Sequence, residues 1–492
     1  MKKKESKYGL LKAVLVMLVL AFVLSWIIPS GAYSSSGFSE LGVLRLGIHD
    51  IATSIYYGIS IGLDKIVLLL VIGVFYAVLT RTQAYERIVS GIARKLNKKV
   101  AVVMFSVILA ALTSVLTQTF VVLIFVPFII SILNRMKLDK MTILATTFGS
   151  ILVGIMGATY GTDGVNALNI YLGYNMEYPN VMPALLVRAG ILAIGLVLFN
   201  FFTIAHMSKA DKNAESIDLF EVEVEEEVAQ KRKNMVPIIV IGVLLFVLAI
   251  LGFMNWRANF GVEVFKDFHD YVTNDIVIEG ASESADDFFV FRDLLGIQVE
   301  PLGQWDIFMI TSILLIFTVI IAVCYRIKAN EFIDSAKRGI KKFLVPSLCI
   351  VGAYALMIIV YHPSYAQSSY IATIVNRLLT LTDGFNIATM TLSSLLLNIF
   401  HTDLGFTGFV FGNIQMYGNF LITEYADYIN PVYTMLTSLY GFVQFFIPTS
   451  IILGIGLVSL KVNYKDWLKY IWRFLVGMFI CLLIIFILMS II

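Results

Sequence analysis

Two acids stand in a chain that leaves little room for them. Asp163 lies in GATYGTDGVNALN (157–169) and Asp403 in NIFHTDLGFTGFVFGN (398–413), both within otherwise apolar sequence. An ionised carboxylate in hydrocarbon costs a few kcal/mol at least, so its usual reason is to bind a cation, carry a proton or face a polar cavity. The bland alternative is a helix N-cap. Thr162 and Asn166 flank the first acid, and Thr402 and Thr407 flank the second. Two more polar breaks have no acid: TSVLTQT (113–119), with Thr117, Gln118 and Thr119, and FIPTS (446–450), with Thr449 and Ser450. Hydroxyls and amides donate and accept hydrogen bonds, so they can grip a small polar solute. A lone Ser or Thr in a membrane helix more often bonds its own backbone, and Pro127 and Pro448 read equally as kinks. Co-location lifts the set above those readings, because the breaks fall at corresponding points of two halves. His401 reads as a titrating group or as a hydrogen-bonded spacer. Asp64, Lys65 and Arg188 read as anchors at outer span ends.

The elements that must position these residues follow from composition. The chain has 492 residues, 59% hydrophobic and 14% charged, against about half and a quarter in soluble domains. Apolar runs near span length place nine spans at about 8–28, 61–80, 141–172 (broken), 182–205, 235–254, 306–325, 344–361, 431–459 (broken) and 471–491. Regions 100–134 and 386–422 are too long for one span and break at a polar tip. With the N-terminus inside, most of the 36 Lys and Arg fall in inner segments, as the positive-inside rule requires. The C-terminus is then extracellular. KLNKK and NRMKLDK flank the first hairpin, which therefore enters from the cytoplasm; the second has no basic flank and enters from outside.

The expected fold is an all-α polytopic membrane protein of two inverted-topology repeats. Residues 1–206 form the first repeat and 305–492 the second. Between them, 207–304 hold an acidic cytoplasmic linker (DLFEVEVEEEV, then KRK), the extra span 235–254 that inverts the second copy, and an extracellular insertion. Backbone that is not helical is tolerated at membrane depth only where it lines a cavity or is buried in protein. The four breaks therefore read as a substrate site, with Na⁺ or H⁺ coupling expected at Asp163 and Asp403. Cys324, Cys349 and Cys481 form no disulfide framework and no metal spacing. No nucleophile–base set, phosphate loop or cofactor motif appears, so neither an enzyme nor an ATP-driven pump is expected. A net charge of +2 gives no footprint for nucleic acid.

Three stretches carry a resemblance: FFIPTSIILGIGLVSLKVNYKDWLKYI (445–471), with a PTS motif and a Tyr-x-x-Trp-x-Lys tail; WIIPSGAY (26–33); and IGVFYAVLTRTQAYERIV (72–89). They are similar to the YfcC/DcuC group of the ion transporter superfamily, C4-dicarboxylate carriers and basic amino acid antiporters. The resemblance covers nearly the whole chain outside 207–304. It implies substrate binding at hairpin tips and broken spans, and a homodimer with elevator-type motion. The chain departs from the pattern at three places. Thr117-Gln118-Thr119 stands where the family's first hairpin often has a Glu, GTDGVNALN where an Asn-Pro pair is usual, and HTDLGFTG where the second tip is Ser-Gly-rich. The expected activity is secondary transport or exchange of a small polar metabolite across the bilayer. Two acids with no deep Arg or Lys favour an amino acid, a basic one of the arginine or ornithine type, over a C4-dicarboxylate. A channel or a membrane-embedded enzyme are the remote alternatives.

Overall fold

The computed structural model describes residues 9–34, 37–161, 165, 182–208, 233–278, 288–296, 299–361, 368–403, 420–421 and 423–491. Residues 209–232, most of the expected acidic linker, lie outside the described residues. Helices α1 (Gly9–Ile27), α2 (Ile48–Ile61), α3 (Leu63–Leu79) and α4 (Gln83–Lys95) open the chain. The first hairpin follows as α5 (Lys98–Val115), α6 (Thr119–Val122) and α7 (Val126–Arg135). A continuous helix comes next, α8 (Lys140–Leu144) and α9 (Ser150–Met156) joined by a π-helical turn (Ala145–Gly149); it ends at the first break, most of which lies outside the described residues, before α10 (Met182–Met207). The extra span is α11 (Val236–Phe253). The second half runs α12 (Ile307–Cys324), α13 (Ala329–Val360), α14 (Tyr370–Leu379), α15 (Ile387–Phe400), α16 (Ile429–Gln444), α17 (Ile451–Ser459) and α18 (Tyr464–Ile491).

Seven of these helices are long and apolar enough to cross a membrane, α5 among them, and the α2–α3 pair makes an eighth. Many are apolar all round, with exposed residues such as Val16, Val197 and Val323, the pattern of helices solvated by lipid rather than water. This is a multi-pass, all-α membrane protein. The order long helix, amphipathic helix, hairpin arm, broken helix, long helix runs from α1 to α10 and recurs from α12 to α18.

The two halves meet where α3 lies along α13. A Cβ on Gly62 would stand 2.6 Å from Ile350 Cγ2, and one on Gly73 would press on the backbone of Gly339. Only glycine lets these backbones approach so closely. Gly62 also marks the 57° bend between α2 and α3. The counterpart in the second half does not break. NEFIDSAKRGIKK and the span after it form one helix of 32 residues, with Pro346 inside it, so the helix starts well before the span expected at 344–361. The contact of Gly73 with Gly339 and a 2.5 Å hydrogen bond from Arg81 Nε to Ser335 Oγ hold the amphipathic part in line with the span.

One element escaped the pattern reading. IPSGAY enters a two-stranded hairpin, β1 (Ser30–Ser34) with β2 (Gly37–Gly42). Gly31 also pairs with Ser369 at the start of α14, and a Cβ there would strike the Phe38 ring and Thr373 Oγ1. The Tyr33 ring packs 5.0 Å from that of Phe420, where the description of the second hairpin resumes. Five-residue strands give too little alternation to separate from an amphipathic loop.

Asp139 starts the first broken helix. Its carboxylate accepts from Met141 N and Thr142 N (both 3.1 Å), Thr142 Oγ1 (2.5 Å) and His206 Nε2 at the end of α10 (3.3 Å). Burial pushes this carboxyl up, and the hydrogen bonds from His206 and Thr142 outweigh it and hold it below the usual carboxylate value. A depressed value means the group stabilises the fold above the ordinary carboxylate range, and that the contribution is lost as pH falls through the depressed value. Asp139→Ala is expected to lower the unfolding midpoint in detergent at pH 7, by on the order of 1 kcal/mol. The gap to wild type should close only below about pH 4, measured by thermal scans across pH.

Candidate functional site

The first wall joins the tip of the first hairpin to the end of α9. The Ser114 carbonyl accepts from Thr159 N (2.9 Å) and Gly161 N (2.8 Å), while its Oγ reaches Gly157 O (3.1 Å) and Thr159 Oγ1 (3.0 Å). The amides freed where the helix stops are thus satisfied by a helix from the other arm. Thr117 donates through both N (2.8 Å) and Oγ1 (3.1 Å) to Phe253 O at the end of α11. Its donors therefore serve the extra span. Gln118 is half-buried and Thr119 is buried; neither side chain has a hydrogen bond among the described residues. Thr162, Asp163 and Asn166 lie outside the described residues.

The second wall repeats the logic. The Thr402 carbonyl accepts from Tyr440 Oη (3.1 Å) and Gln444 Nε2 (3.4 Å), both on α16. Thr402 Oγ1 donates to Ala353 O at 3.4 Å. Asp403 is buried and accepts a 2.5 Å hydrogen bond from Tyr354 Oη of α13. Thr407 lies outside the described residues. The carbonyls at the break after α16 are met from α18: Trp467 Nε1 donates to Phe445 O (2.8 Å) and Tyr464 Oη to Phe446 O. The Tyr-x-x-Trp spacing of the tail thus places two donors one turn apart on the carbonyls of the break. Past it, Thr449 Oγ1 and Ser450 Oγ are buried with no hydrogen-bond partner among the described residues. Ser450 stands at the N-cap of α17 without its hydroxyl capping it.

These walls meet. Gly441 of α16 lies against the backbone of Ile155 and Met156, where a Cβ could not fit. The broken helices therefore cross with no side chain between them. Lys65 ties the hairpins together: its Nζ is 5.8 Å from the centroid of the Phe120 ring in α6 and 5.4 Å from that of Tyr354, which holds Asp403. Its side chain is only 14% exposed.

Sequence reasoning missed the strongest charge in the site. Arg188 is fully buried. Its Nη2 donates to Thr159 O (3.0 Å) and its Nη1 to Tyr433 Oη (3.0 Å), and its guanidinium carbon lies 4.5 Å from the Tyr433 ring centroid. Nε has no partner, and no carboxylate pairs with this guanidinium among the described residues. The expectation of no deep Arg or Lys is therefore wrong. α10 keeps one face exposed at Leu186 and Val197 and packs the other on α9 and α16, with Leu192 against Gly157, which takes Arg188 inward. The signal was present: one cation within VMPALLVRAGILAIG.

Residues 9–491 match the family model for DcuC, the C4-dicarboxylate anaerobic carrier. The chain belongs to the DcuC family. A solved structure, the Alcanivorax borkumensis YdaH transporter with its unusual topology, is similar at 12% identity over 97% of each chain, with a TM-score of 0.37. A comparison with curated proteins gives no match. This DcuC-family protein is thus a membrane carrier, and its PTS and Tyr-x-x-Trp segments both lie at the second break.

The crossing of the breaks is directly testable. Gly441→Val should cost about 1–3 kcal/mol or more through overpacking and reduce the yield of monodisperse protein. Met156→Ala should not rescue it, because the clash is with backbone. Rescue, read by size-exclusion profile and thermal midpoint, would show that the helices do not cross this tightly.

Proposed function

We propose that this protein is a secondary carrier or exchanger of C4-dicarboxylates. Arg188 carries the reading. A buried cation left without a counter-charge costs several kcal/mol, and guanidinium is the side chain best shaped to receive a carboxylate through two parallel hydrogen bonds. Tyr433 and Thr159 engage one nitrogen each and fix the plane of the fork. Family membership supports the same choice over an amino acid. The acid-rich site that favoured a cationic substrate now has Arg188 and Lys65 beside it.

The N-terminus of α17 supplies a second anion-binding feature. The first-turn amides of a helix have no intrahelical partner and carry partial positive charge. Here they sit beside the uncommitted hydroxyls of Thr449 and Ser450. In this reading Arg188 takes one carboxylate, and α17 with Thr449 and Ser450 takes the other; Gln118 and Thr119 line the opposite hairpin tip. Asp403 does not bind substrate and is left for the coupling ion. The charge distribution of the loops supports a cytoplasmic N-terminus and an extracellular C-terminus.

Counterflow in proteoliposomes with labelled succinate, citrate, arginine and ornithine tests this. Saturable succinate exchange is expected. Arg188→Gln should weaken it by about 30-fold or more, the equivalent of losing one partner of a buried charged pair at about 2 kcal/mol. Arginine exchange with no response to succinate would sink the proposal.

A further inference from the structure

Four polar side chains on one face of α15 have no role in the site described above. Thr391, Ser394, Asn398 and His401 follow a 3-4-3 spacing, which keeps them on one stripe of a helix. All four are more than nine-tenths buried. Thr391 Oγ1, Ser394 Oγ and both ring nitrogens of His401 lack hydrogen-bond partners among the described residues, as does Asn398 Oδ1, whose amide is anchored through Nδ2 to Leu436 O (3.2 Å). The ordinary fate of a hydroxyl in such a helix is to bond the carbonyl one turn back. Ser393 does so to Thr389 O (2.6 Å) and Thr437 to Tyr433 O (2.9 Å). The stripe does not. Each orphaned group costs about 1–3 kcal/mol, so a run of four needs a reason.

The stripe has a direction. It starts in the first turns of α15, just past Thr389, whose Oγ1 lies 3.5 Å from Thr382 Oγ1 in the preceding turn, and ends two residues before Asp403. Hydroxyls donate and accept at once, and a neutral imidazole can take a proton on one nitrogen and release one from the other. The groups around His401 and Asp403 are Tyr354 and Tyr361 of α13, Tyr370 of α14, Tyr440 of α16 and Lys65 of α3. Lys65 is in turn paired with Asp64, 3.7 Å from its Nζ.

We propose that Thr391, Ser394, Asn398 and His401 form a proton path that loads Asp403 from the mouth of the second hairpin. The proposal rests on the dicarboxylate-carrier reading and supplies its coupling step. A proton binds one ring nitrogen of His401, the proton on the other passes to the Asp403 carboxylate, and the imidazole is neutral again. The net change is one carboxylate becoming one carboxylic acid. With that negative charge gone, an incoming dianion meets Arg188 without repulsion from Asp403.

The test uses the full chain in proteoliposomes with a trapped pH-sensitive dye. A succinate gradient should drive proton uptake in wild type. His401→Gln and Ser394→Ala should each slow that uptake by about tenfold or more. Succinate–succinate counterflow, which moves no net proton, should stay near the wild-type rate and shows that the variants are folded. Wild-type proton uptake in both variants, or net gradient-driven succinate uptake in wild type without proton uptake, would overturn the path alone. No succinate exchange in wild type overturns the carrier reading, and the path with it.

Discussion

Everything in this fold depends on how the chain satisfies its backbone where a helix stops inside the membrane. Unpaired amides and carbonyls in hydrocarbon cost several kcal/mol each, so an interrupted helix needs partners already in place. In the first half the partner is Ser114, whose carbonyl and hydroxyl together engage residues 157–161. In the second half Tyr464 and Trp467 of α18 hold the carbonyls after α16, and α16 in turn holds Thr402. A hairpin tip and a broken helix are therefore one hydrogen-bonded unit. Each unit solves the backbone problem of the other member and leaves a few side chains, such as Gln118, Thr449 and Ser450, with no hydrogen bond among the described residues.

Much of this was legible in the sequence. Apolar run length marks the chain as a multi-pass all-α membrane protein, because the bilayer imposes a length on any spanning sequence. Polar breaks are equally visible. The illegible parts are those decided by packing between distant segments. Nothing local in VRAGIL places Arg188 between Thr159 and Tyr433, because its depth depends on how α10 packs on α9 and α16. Likewise, NEFIDSAKRGIKK has the composition of an interfacial helix, and only the contact of Gly73 with Gly339 shows why it continues straight into a span. The strand pair at 30–42 is set by a bridge to Ser369, more than 300 residues away.

The charge pattern shows how misleading a count of one sign can be. Asp163 and Asp403 drew attention because acids in apolar sequence are easy to see. The cations sit in helices that look like ordinary spans, so they read as anchors. Selectivity follows from which charge is left without its own partner. Asp403 has Tyr354; Arg188 has a phenol, a carbonyl and no carboxylate among the described residues. In a low-dielectric site that asymmetry is the ground on which the proposed dicarboxylate reading stands.

The same asymmetry links the two halves. Lys65 comes from the first half, yet it lies against Phe120 of the first hairpin and against Tyr354, whose hydroxyl holds Asp403 of the second. A change in the charge of Asp403 alters the field at Lys65 without moving any helix. A change in the position of either hairpin alters the contacts of Lys65 without any titration. Substrate charge, proton occupancy and hairpin position thus act on one short chain of side chains. That is the minimum a coupled carrier needs: a ligand and an ion that each bias the same movable element.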